Sequence, residues 1–505
     1  MSSPEPEYSP GSRIAGELPP ERAYESWMPD RLSASIVGLA LAIGACLRFY
    51  RLGGYELTAD EAASWYAAAA PTVSYVVRVG FKTNAGKLSL HDLALHFWIL
   101  AFGDSVISMR VMSVVLGLVA ILLIFVLARE LLEFDVFSSG LPREDTNRIA
   151  ALSALIFALS LPAIHYSREA RMYSLVLGLA MAQAWFFLRA VRFGRPADLI
   201  GAGFLAFLSV AASMIAGAVL IVEWFWLLAL LWQDGWKPGS PFLRRALASM
   251  ASLIPGAAAA GLSILNNPFG MAVISQQSWQ RNGVTTFFQA ARTAPLSAMC
   301  LLTIGLAVWG IIRTWRESRT VIWLTLLWMW LPVVLLACSL RGVAALLLII
   351  LSFWIPNFLQ RYVLTCLIPF SILIAMGIWR IRPNAIRLAV LALFVGLALA
   401  RATSYYGSQD EGMGEWGIQW REAAAFAASE SDAGRPVAVY PELCEFVVLY
   451  YARNCTSVRA FTEGAHLLIV RRDFGGPDNR DLPVLRWAYP RNVARLNGVS
   501  VWADR

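Results

Sequence analysis

Long apolar runs separated by short polar stretches organise this chain. Runs at about 32–49, 107–127, 149–163, 172–188, 198–213, 214–232, 247–264, 296–312, 321–338, 362–379 and 386–401 predict eleven membrane-spanning helices. A helix that crosses a bilayer needs about 20 mostly apolar residues, because without water its backbone polar groups must be satisfied inside the segment. The stretch 198–232 reads as a tight hairpin of two helices, since small residues interrupt it near Ser213 and Gly217. The run 343–355 reads as a re-entrant or interfacial helix. Beyond residue 401 the pattern changes to a helical periodicity at 417–429 and short strand-like runs at 436–440, 466–470 and 499–503. The expected fold class is therefore a polytopic α-helical membrane protein with a small C-terminal α/β domain.

Positive charge orients this arrangement. Counting from a cytoplasmic N-terminus, every loop that should face the cytoplasm carries a cluster: Arg129, Arg143 and Arg148; Arg189, Arg192 and Arg195; Lys237, Arg244 and Arg245; Arg313, Arg316 and Arg319; Arg380, Arg382 and Arg387. Cytoplasmic loops are enriched in Lys and Arg, so the five agree on one topology, provided 343–355 does not span. The long segments 50–106, 265–295, 339–361 and 402–505 then lie outside. Three parts result: a disordered cytoplasmic tail over 1–31, a transmembrane part over 32–401, and an extracytoplasmic domain over 402–505. The tail contains Glu5, Glu7, Glu17 and Glu21 among prolines, unlike the charged start and early apolar core of a cleaved signal peptide.

Composition supports the membrane assignment. With 58% hydrophobic and 15% charged residues, the chain has more apolar surface than one soluble core could hide. The net charge of +8 would suit a nucleic-acid binder, but the cations are scattered over short loops and form no basic stripe, so no nucleic-acid partner is expected. Of six cysteines, four lie in or beside apolar runs. Cys444 and Cys455 lie in the polar C-terminal part, where an external compartment would allow a disulfide.

The external segments hold the candidate chemistry. The first contains the adjacent carboxylates Asp60 and Glu61, then Lys87, His91 and Asp92. Such a pair is either a solvated loop charge or an acid–base site. The second cluster is His165-Tyr166-Ser167-Arg168-Glu169-Ala170-Arg171. Its arginines could be interfacial anchors, or guanidinium groups on one helix face that grip phosphate oxygens. Arg361 and Tyr362 stand at the mouth of a late apolar run, where a lone arginine is commonly a snorkelling anchor.

In this order the blocks ADEAASWY, LHFWILAFGDSVISMRVMSVVLG, HYSREARMYSLVLGLA and QRYVLTCLIPF resemble the bacterial membrane glycosyltransferases of the GT-C class. The likeness is to glycosyltransferase family 39, the group of protein O-mannosyltransferases and lipid A aminoarabinose transferases. It implies a glycosyltransferase of the bacterial inner membrane whose site faces the periplasm. The donor would be a polyprenyl-phosphate sugar and the acceptor a lipid, glycan or protein. It also implies Asp60 and Glu61 as catalytic residues, Arg171, Arg361 and Arg168 as ligands of the donor phosphate, and Glu169 as a substrate-binding acid beside them; His91, Asp92, Lys87 and Tyr362 are further substrate-binding candidates. No cofactor is expected with certainty, and a divalent metal at Asp60, Glu61, His91 and Asp92 stays open. The chain departs from the family where relatives carry Pro-Pro-Leu-Tyr-Tyr, here Leu88 to Asp92, and where many carry a histidine, here Ser213-Met214. Both departures bear on the acceptor. A lipid-linked substrate transporter and a non-catalytic membrane scaffold are the rival readings.

Overall fold

Helices follow the apolar runs. The computed structural model describes residues 29–83, 86–134, 142–266, 294–315, 322–330, 364–410, 417–432, 436–440, 444–453, 458–460, 465, 467–471, 491–497 and 499–503. After α1 (Arg31–Phe49) come three shorter helices, α2 (Ala59–Ala68), α3 (Val73–Thr83) and α4 (Leu90–Phe102). The bundle continues through α5 (Val106–Phe134), α6 (Arg143–Leu159), α7 (Leu161–Ser167), α8 (Tyr173–Phe193), α9 (Pro196–Ala212), α10 (Gly217–Asp234), α11 (Pro241–Ser252) and α12 (Ile254–Asn266). It ends with α13 (Ala294–Thr314), α14 (Leu367–Trp379) and α15 (Asn384–Asp410).

Among the described residues six helices are long and apolar enough to cross a membrane, and a seventh is reached if the bent pair α6–α7 counts as one. The expected runs at 198–213 and 362–379 form shorter apolar helices, Pro196–Ala212 and Leu364–Trp379. The run 343–355 and much of 321–338 lie outside the described residues.

Two breaks depart from the expected pattern. The run 149–163 is not one straight helix: Pro162 enters the first turn of α7 without the N–H that a continuous helix needs, Ser160 is extended, and the axis turns by 61°. The break near Ser213 occurs where expected, yet α9 lies along α8 and α12 and barely touches α10. The segment after α3 explains the separation. Met214 N–H donates to the Gly86 carbonyl at 3.0 Å and Leu88 N–H to the Ala211 carbonyl at 2.8 Å, so that segment is stitched into the break.

Most buried aliphatic and aromatic side chains of α1, α5–α10 and α14 form one continuous core. Within it, Glu223 of α10 accepts a hydrogen bond from Gln183 of α8 at 2.9 Å, a polar link between two spans.

The C-terminal residues build a five-stranded sheet in the order β2-β1-β3-β5-β4, from β1 (Val437–Tyr440), β2 (Val458–Ala460), β3 (Leu467–Arg471), β4 (Arg491–Arg495) and β5 (Val499–Ala503). β1 runs parallel to β2 and β3, while β5 is antiparallel to β3 and β4. Two helices accompany it, α16 (Trp420–Asp432) and α17 (Glu445–Tyr451). Cys444 caps α17 and is buried, and Cys455 lies outside the described residues.

Candidate active site

The acidic pair sits in the first turn of α2, and the chain's own capping chemistry places it there. Thr58 Oγ1 accepts from the Glu61 N–H at 3.2 Å, and the Glu61 carboxylate accepts from the Thr58 N–H at 3.0 Å. This reciprocal cap satisfies two otherwise orphaned amides and sends the two acidic side chains to different surroundings. The Glu61 side chain is wholly buried, whereas that of Asp60 is 38% exposed.

Glu61 is occupied. Arg110, one turn into α5, donates from Nε and Nη2 to its two carboxylate oxygens, each at 2.8 Å. The other Arg110 donors reach the carbonyls of Leu52, Tyr55 and Glu56 at 3.0 to 3.1 Å. The Ala170 N–H adds a bond to Glu61 at 2.9 Å. Burial pushes the Glu61 carboxyl up, but the charge and hydrogen bonds of Arg110, with those of Thr58 and Ala170, hold it below the usual carboxylate range. Glu61 therefore ties α2 to α5 and to the segment before α8. Nothing local in the sequence marks Arg110 as its partner; the one signal is a charge at the start of an apolar run.

Arg168 is likewise committed to structure. Expected on the donor phosphate, it instead points its guanidinium at the carbonyls of Leu47, Arg48, Tyr50 and Arg51. Leu47 and Arg48 lie in the last turn of α1, whose carbonyls lack intrahelical partners, and Tyr50 and Arg51 follow it directly; a cation there also suits the helix dipole. Arg171 takes the other direction. It donates to the Asp60 carbonyl at 2.8 Å and to Ser64 Oγ at 3.1 Å, and its Nη2 lies 3.7 Å from the Asp60 carboxylate. The sequence spacing alone would put both arginines on one face. The turn between α7 and α8 sends them apart.

His91 and Asp92 complete the cluster. Both are buried in the first turn of α4, 3.6 Å apart. Among the described residues no side-chain atom of either makes a hydrogen bond. Burial lowers the His91 pKa below its ordinary value, with Lys87 and Arg171 adding to the effect against Asp92. Burial pushes the Asp92 carboxyl up, but His91, Lys87 and Arg171 together hold it low. Lys87 is buried on the segment stitched to the α9–α10 break. Five expected residues, Asp60, Lys87, His91, Asp92 and Arg171, thus gather around one spot.

Glu169 belongs to a neighbouring group. It lies 3.2 Å from His165 Nε2, and His165 Nδ1 is 3.0 Å from Tyr405 Oη on α15. Arg361 and Tyr362 lie outside the described residues. Among the described residues no three His, Cys, Asp or Glu side chains gather in a way that could hold a metal ion. Of the quartet considered from sequence, Glu61 is turned to Arg110.

No protein-family model matches the chain, and no curated protein matches it in sequence. Its structure is similar to that of ArnT from Cupriavidus metallidurans bound to undecaprenyl phosphate, with a TM-score of 0.53 and 14% identity over 94% of this chain and 98% of that one. It is also similar to the archaeal oligosaccharyltransferase AglB from Archaeoglobus fulgidus, in complex with an inhibitory peptide and a dolichol-phosphate. There the TM-score is 0.53 at 12% identity, over 95% of this chain and 75% of that one. These likenesses establish the architecture: the chain has the fold of the GT-C class of membrane glycosyltransferases.

Proposed function

We propose that this protein transfers a sugar from a polyprenyl-phosphate donor to an acceptor on the outer side of the bacterial inner membrane. The observation that carries the reading is the Asp60–Arg171 arrangement: a partly exposed carboxylate beside a guanidinium, next to the buried His91 and Asp92, whose side-chain atoms make no hydrogen bond among the described residues. Buried polar atoms are almost always hydrogen-bonded, so His91 and Asp92, which face each other at 3.6 Å without such a bond, suit a place that substrate completes.

The donor dictates the chemistry. Its apolar tail belongs in lipid and its charged head in water, so transfer belongs at a membrane surface. As the bond from the anomeric carbon to phosphate oxygen breaks, negative charge grows on the leaving lipid phosphate. Arg171, with Lys87 and Arg361, stabilises it. Asp60 takes the proton of the acceptor hydroxyl as that oxygen attacks from the opposite side, giving inversion; such a base contributes about 10²- to 10⁴-fold. Glu61 holds the loop instead of reacting. His91 and Asp92 line the substrate, and Glu169 orients His165. The ArnT and AglB structures hold undecaprenyl phosphate and dolichol-phosphate respectively, which supports a lipid-phosphate donor here.

Purified protein incubated with labelled polyprenyl-phosphate sugars and a membrane extract tests the reading. Release of lipid phosphate coupled to labelling of a lipid, glycan or protein is the expected result. Movement of intact donor across vesicles without bond cleavage would favour the transporter reading instead.

A further inference from the structure

The C-terminal residues grip the helix that carries Asp60 at three places. Ahead of α2, the Leu57 N–H donates to Tyr451 Oη at 2.8 Å, and the Glu56 carboxylate accepts the Arg421 N–H at 3.0 Å. Along α2, Trp65 meets the Tyr450 ring edge-on with centroids 5.0 Å apart, and Tyr66 stacks on Phe446 at 4.6 Å. Beyond α2, the Asp104 carboxylate receives Arg453 Nη1 at 2.8 Å and Trp65 Nε1 at 3.1 Å. The Asp104 carbonyl accepts Tyr450 Oη at 3.0 Å. Leu57, Ala62 and Met109 share one apolar core with Trp420, Val447 and Val448.

Ordinary docking would explain the shared core. It does not explain why the polar contacts converge on Glu56 and Leu57, just ahead of α2, and on Asp104, which holds Trp65 of α2 from the turn between α4 and α5. Leu57 directly precedes Thr58, which closes the cap with Glu61, so the Tyr451 hydroxyl is bonded next to the turn that sets Asp60. At the other end Arg453 fixes Asp104, and Asp104 fixes Trp65. The geometry points to α17 and its following turn as a latch, in which Tyr451 and Arg453 are positioning residues that hold α2 and so aim Asp60 at the acceptor. This rests on the proposal that Asp60 is the base. A misplacement of about 1 Å in a reacting group can cost about 10²-fold in rate, so a loosened α2 would show in turnover before donor affinity.

The test uses full-length purified Tyr451→Phe, Arg453→Ala and Arg453→Lys, with amide hydrogen exchange of residues 57–68 and separate kcat and donor KM. Tyr451→Phe and Arg453→Ala should speed exchange over 57–68 while leaving 173–193 unchanged. Their kcat should fall about 10-fold with donor KM within about twofold, since the reacting group is displaced and the phosphate grip is not. Arg453→Lys should restore part of both. Unchanged exchange at 57–68 overturns the latch, and faster exchange with wild-type kcat overturns the positioning role. Exchange is read without turnover, so an inactive wild-type protein would refute the transferase reading while the exchange result still decides the latch. If Arg453→Ala fails to fold, the nearly isosteric Tyr451→Phe carries the test.

Discussion

Arg110 meets Glu61 through two hydrogen bonds of 2.8 Å, with both side chains out of reach of solvent. The pair joins the first turn of α2 to α5, so it fixes where the neighbouring Asp60 stands. Removing one partner of a buried pair leaves an uncompensated charge and costs about 3–5 kcal/mol. Glu61→Gln keeps the shape and removes the charge, and it should lower the thermal melting point and the yield of monodisperse protein. A melting point equal to that of wild type in the same detergent would show that the pair is not holding the loop.

The sequence exposed the helices and the acidic motif because both obey local rules. Apolar length marks a span, and the block ADEAASWY marks the acidic pair by its resemblance. That the pair opens a helix is not among the sequence expectations, although Thr58 three residues before Glu61 has the spacing of a capping box. The long-range relations were not legible. Arg168 and Arg171 look equivalent by spacing, and only the turn between α7 and α8 decides that one caps α1 while the other faces Asp60. β4 is largely exposed and has no alternation to betray it, whereas β5, buried throughout, reads plainly as a strand. Arg110 and Glu61 are 49 residues apart, and no periodicity connects them.

Acid should weaken the folded state through His91. Its folded pKa lies below the ordinary 6.5 because burial disfavours the imidazolium. Between those two values the unfolded chain binds a proton that the folded chain does not, so stability falls as pH drops below the ordinary value and levels off once the folded group also protonates. Asp92, held below its ordinary 3.8, acts in the same direction but only at lower pH: its contribution is present above the unfolded value and is lost as pH falls through the folded one. Melting wild type and His91→Gln at about pH 7.5 and about pH 5.5 should show the larger loss in wild type. Equal losses would mean that His91 does not titrate in this window.

The five cationic loops predict that the C-terminal residues lie outside the cytoplasm. A reporter fused after Arg505 that works only outside the cytoplasm should be active, and one that works only inside should be silent. The same location would let Cys444 pair with Cys455. Alkylation before reduction should then leave both thiols unmodified, and labelling of both would refute the pairing.

Asp60→Asn should abolish transfer while leaving the protein folded and able to bind donor. Its side chain is 38% exposed, so what amidation gives up, a solvent-screened ion pair to Arg171 and a charge in the first turn of α2, is worth about 1 kcal/mol or less each. The Asp60 carbonyl, which receives Arg171, is untouched by the change. What disappears is the basic lone pair that takes the acceptor's proton, since an amide oxygen is too weak a base to replace it. Arg171→Ala makes the contrasting case. It removes positive charge from a phosphate that is already charged in the ground state, so donor affinity and turnover should fall together. It also frees Asp60 of a cation whose Nη2 lies 3.7 Å away. Measuring donor affinity and single-turnover transfer for each purified variant separates the two roles. Near-normal transfer by Asp60→Asn would remove it as the base, and Asp92, buried beside His91 within the same cluster, would become the group to test.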